Sequence, residues 1–124
     1  MMCDDHLLAP VVSEPALPFV NDRAIGLSDS EITTVREKIA KGGQLAAFRF
    51  VGDPHSPAAR ANLLCELVQG AAPKNSPALR GSMWLQPTCP NAHSVFTAHF
   101  DERPGTSTTW AMDELKSFLR DRLR

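Results

Sequence analysis

The stretch QLAAFRFVG, residues 44–52, constrains the fold more than any other part of the chain. Its apolar residues alternate, so Phe48 and Phe50 share one face and Ala47, Arg49 and Val51 the other. A helix pattern follows. SPAARANLLCELVQG has Ser56 placed as N-cap, Pro57 at the first helical position and Gly70 after the end. Leu64, Leu67 and Val68 line its buried face, with Ala61 and Leu63 beside them. A loop over 71–81 leads to a second short strand, SMWLQ, residues 82–86. Strand, helix and strand in that order cross over right-handed and pair in parallel when the strands are neighbours.

The flanks add two more helices. SDSEITTVREKIAKGG starts at Ser28 with Glu31 three residues on, the reciprocal pattern of a capping box. Ile32, Val35 and Ile39 mark its buried stripe, Lys38 and Lys41 suit its carboxyl end, and Gly42 and Gly43 stop it. The last helix, WAMDELKSFLRDRLR, presents Ala111, Leu115, Phe118 and Leu119 on one side. Residues 1–27 form an irregular arm packed on the domain, an edge strand at best because prolines interrupt it. Val11, Val12, Leu17, Phe19 and Val20 argue against a free tail.

HSVFTAHF, residues 93–100, alternates too and reads as a strand. Only PTCPNA separates it from 82–86, which predicts an antiparallel hairpin. The expected class is α+β: a small mixed sheet of three to four strands covered by helices, in the order arm-α-β-α-β-β-α. Residues 28–124 form a single α/β domain. A chain of 124 residues has room for one core.

On this reading Phe48, Phe50, Met83, Leu85, Phe96, Ala98 and Phe100 face inward. Arg49, Trp84, His93, Thr97 and His99 gather on the opposite, open face. Tryptophan and arginine are enriched as anchors at interaction surfaces, so these five residues form a candidate binding patch.

Several chemistries find little support. The formal net charge is −1, so nucleic acid is not the default partner. Cys3, Cys65 and Cys89 are too few and too scattered for a disulfide framework. No stretch reads as a membrane span or signal peptide, which suggests a cytoplasmic setting with reduced thiols. Cys89, His93, His99 and Asp101 invite a metal or Cys/His reading. On an extended strand, however, the two histidines stand about 20 Å apart at roughly 3.3 Å per residue, too far for one ion. No cofactor motif is present. The leading expectation is a non-enzymatic protein of inhibitor or immunity type that binds another protein. The alternatives are an enzyme using Cys89, His93, His99 and Asp101, RNA binding on the open sheet face, and a homodimer formed through that face.

Overall fold

The computed structural model describes residues 6–15 and 25–124. Cys3, Leu17, Phe19 and Val20 lie outside the described residues. The described elements are β1 (Val11–Ser13), α1 (Asp29–Ala40), β2 (Leu45–Phe50), α2 (Ala58–Ala71), β3 (Leu79–Leu85) and α3 (Ser107–Arg122). The class is α+β, with a three-stranded sheet in the order β1-β2-β3 and helices covering it.

The sheet is parallel throughout, with Val11 opposite Ala46 and Leu45 opposite Leu79. Part of the expected arm, Val11–Ser13, supplies its first edge strand. Two crossovers of the same hand put α1 and α2 on one face. There Val35, Ile39, Leu67 and Val68 pack with Leu45, while Ala61 and Cys65 pack with Ala47 and Met83. On the other face, Ala111 and Phe118 of α3 pack with Ala46, Phe48, Phe50 and Leu85. Helices on both faces bury a central parallel strand completely. Every residue of β2 is accordingly buried, Arg49 included.

The hairpin is not formed. Residues 95–99 are turns, and 93–100 contains no strand. Side chains take over this segment's backbone groups, which removes them from any ladder. His99 Nδ1 accepts the N–H groups of His93 at 3.2 Å and Ser94 at 3.0 Å.

The expected face parity also fails within β3. Three steps of β3, Ser82 to Leu85, oppose two of β2, Phe48 to Phe50. The extra residue is a bulge, which changes the side to which later residues point. With Ser82 opposite Phe48, Met83 packs toward α2, and the bulge then turns Leu85 to the phenylalanines. Just before the bulge, Gly81 has φ +83°, and a Cβ there would lie 2.5 Å from Ala47 O and 2.8 Å from the Phe48 ring. Only glycine meets both demands.

Helix ends follow local chemistry. Ser28 and Glu31 form the capping box. Ser56 does not cap α2; the cap position falls on Pro57, and the Ser56 hydroxyl donates to Pro15 O at 3.1 Å. α3 begins three residues earlier than its apolar stripe suggests, because Thr106 caps it by accepting from the Thr109 N–H.

Candidate functional site

Because the strands are parallel, their carboxyl ends lie along one edge of the sheet, the edge where open α/β sheets place their sites. The connection leaving β2 is short and turns at Gly52, φ +72°. Asp53 follows with its side chain fully buried. Its Oδ1 accepts the N–H groups of His55 at 2.8 Å and Ser56 at 3.2 Å. An aspartate bonded to the backbone two residues on is an Asx turn. This one fixes the carboxylate and leaves Oδ2 free for another donor.

Arg49 braces that turn from inside. Its Nε donates to Ser56 O and its Nη1 to Met83 O, the latter at 3.2 Å. The guanidinium thus ties the turn after β2 to the bulged part of β3. Burial pushes its pKa down, and the Asp53 charge acts in the opposite direction. A buried cation needs such compensation.

The connection leaving β3 is long. His99 holds its beginning from within, and Thr88 Oγ1 donates to His99 O at 2.7 Å. The Val95 side chain is fully buried, and its N–H donates to Glu14 Oε1 at the end of β1. Held at these points, the loop sets His93 Nδ1 2.7 Å from Asp53 Oδ2. The His93 side chain is 32% exposed, and the Asp53 side chain is 0% exposed. A carboxylate oxygen only accepts, so this bond assigns the proton to Nδ1. In the neutral ring Nε2 then carries the lone pair, and it has no hydrogen-bond partner among the described residues. The His55 ring meets His93 edge to face, with centroids 5.2 Å apart.

The five residues of the expected patch are not brought together on one open face. Arg49 is only 2% exposed and is bonded to the turn before α2 and to β3. Trp84 is half exposed near the end of β3. His93 turns to Asp53, Thr97 sits exposed in a turn, and His99 points into its own loop. Of the alternative set, Cys89, His99 and Asp101 line a single open groove, from which His93 is absent. Asp101 is held down to about pKa 2 by its hydrogen bonds to the Arg103 side chain and backbone. Cys65 is buried, and that burial pushes its thiol up. Among the described residues, no group of three or more His, Cys, Asp or Glu is placed to hold a metal ion.

Asp53, His55 and Glu14 were not singled out from the sequence. The signal for Asp53 was present in GDPH, where an aspartate two residues before a backbone N–H is a turn former. Glu14 carries no such mark, since its partner is 81 positions away.

Compared with known proteins, the chain matches no family model, no curated protein and no solved structure. Among the described residues, no helix is long and apolar enough to cross a membrane.

Proposed function

We propose that this edge of the sheet is the acid–base part of a hydrolytic site, with His93 as general base and Asp53 as its orienting carboxylate. The observation that carries this reading is the 2.7 Å bond from His93 Nδ1 to a fully buried Asp53, with Nε2 left free. A carboxylate fixed on Nδ1–H selects the tautomer whose Nε2 takes a proton, and it stabilises the imidazolium that forms. Hydrolases on parallel α/β sheets carry acid and then histidine in this chain order, a likeness of arrangement only.

The chemistry follows from the free nitrogen. Nε2 removes a proton from water as the water oxygen attacks an ester carbonyl carbon. The imidazolium then returns the proton to the leaving alkoxide. Positioned acid–base catalysis of this kind contributes about 10²–10⁴-fold.

The test uses the whole chain with p-nitrophenyl acetate as probe. We expect His93-dependent release of nitrophenolate, lost in His93→Ala and strongly reduced in Asp53→Asn. Equal rates for the wild type and His93→Ala would overturn the reading.

A second reading, binding to another protein, is favoured by the exposure of two tryptophans, Trp84 at 49% and Trp110 at 48%. Large exposed aromatics are common anchors at protein interfaces. Inhibitor or immunity roles belong to this reading. Its test is capture of a partner by the wild type but not by the folded Trp84→Ala variant.

A further inference from the structure

Each of the three strands leads into a segment with a polar side chain that enters the same network. β2 leads to Asp53 and β3 to His93. β1 ends at Ser13, and the next residue, Glu14, is unusual. It is a non-glycine residue at φ +45°. Left-handed backbone is disfavoured for a side chain of this kind, and it persists only where the surroundings fix it. Here they do so at three points. The Glu14 N–H donates to Phe48 O at 2.9 Å, which extends the β1–β2 pairing past the strand. Its Oε2 accepts the Ser13 hydroxyl. Its Oε1 accepts the Val95 N–H. The left-handed turn directs the carboxylate across β2 to the loop that carries the histidine.

Val95 lies two residues beyond His93. Its side chain is sealed in the phenylalanine core, and its amide is held from the side by Glu14. His99 holds the N–H groups of His93 and Ser94 from within the loop. Among the described residues, only the Glu14 bond ties the backbone of this stretch to the β1 end of the sheet. We propose that Glu14 is a positioning residue for the site: its carboxylate holds the Val95 amide and so fixes the loop where the His93 ring reaches Asp53. This inference rests on the acid–base reading of that pair. Among the described residues Glu14 forms no hydrogen bond to the His93 ring, and it takes no proton in the chemistry.

The experiment uses ¹⁵N-labelled full-length chain and two NMR readouts. One is the downfield His93 Nδ1–H resonance, identified by its loss in His93→Gln and its shift in Asp53→Asn. The other is hydrogen exchange at the Val95 amide. In Glu14→Gly, which tolerates the positive φ while deleting the carboxylate, we expect the Nδ1–H resonance to broaden or vanish. Exchange at Val95 should be at least about tenfold faster, the loss expected for a hydrogen bond to a charged acceptor. Glu14→Gln keeps an acceptor oxygen and should retain the resonance. Glu14→Asn accepts the left-handed backbone but is one methylene too short, so it should behave like Glu14→Gly and serves if that variant fails to fold. A resonance and a Val95 amide unchanged in Glu14→Gly would overturn the inference and leave the acid–base reading standing. Ester hydrolysis that survives His93→Ala would sink that reading whatever Glu14 does.

Discussion

The connections leaving β2 and β3 start from neighbouring strand ends and meet in one hydrogen bond, yet they are built differently. The first is a tight turn around a buried carboxylate that accepts two backbone N–H groups. The second is a long excursion organised by an imidazole that also accepts two backbone N–H groups. Both use a side-chain acceptor in place of a ladder partner. The difference is charge and support. Asp53 is buried beside a buried arginine, whereas His99 is half-buried and reinforced by a threonine. A short charged turn can act as a fixed platform, and the longer loop is then adjusted to it.

That contrast can be broken from either side. The largest effect should come from Asp53→Asn on ester hydrolysis, a loss in kcat of up to about 10²–10⁴-fold, as much as the base itself contributes, because the tautomer and ring orientation are no longer fixed. In stability, Asp53→Ala should cost more than any change in the second loop, about 3–5 kcal/mol by urea unfolding. It strands two N–H groups and leaves Arg49 uncompensated.

Gly81→Ala tests the strand that launches the second loop. Its left-handed backbone and the close approach to Ala47 O and the Phe48 ring predict a loss of about 2–4 kcal/mol. His99→Ala should be milder, about 1–3 kcal/mol, with faster exchange at the His93 and Ser94 amides while the Asp53 turn stays protected. If His99→Ala destabilised more than Asp53→Ala, the ranking of the two connections would be reversed.

The smallest effect concerns Asp101, toward the end of the second connection. Its pKa is lowered in the fold, so whatever it contributes is present above its unfolded value and lost as pH falls toward about 2. Its partner Arg103 is largely exposed, so the gain in stability is slight. A ¹³C carboxyl titration should place its midpoint near 2, and Arg103→Ala should return it to the ordinary aspartate range.

Much of the architecture was legible in local patterns. The Ser28–Glu31 box, the stripe of α1, the inward Phe48 and Phe50, and the buried Cys65 all come from short-range spacing. What was not legible has a common cause. Alternation in 93–100 records which residues are apolar, but it cannot show that a histidine six positions on will take the backbone donors a strand would need. Met83 and Leu85 were read as sharing a face, but one extra residue opposite β2 sends them to opposite sides, and no spacing within β3 reveals it. Arg49 was read as outward because alternation gives two faces and says nothing about whether helices cover both. The candidate site depended on just these features. It is assembled from residues 14, 53 and 93, each ordinary in its own neighbourhood.

The burial of β2 on both faces has a consequence for how the chain reaches this state. Phe48 and Phe50 are sealed only when α3 docks, with Phe118 among them. During synthesis at about 5–20 residues per second, the strand waits on the order of seconds before its last cover emerges. For that interval its aromatic side is sticky and unprotected. Conditions that slow completion of the carboxyl-terminal helix should therefore raise losses to aggregation well before they alter the stability of the finished molecule.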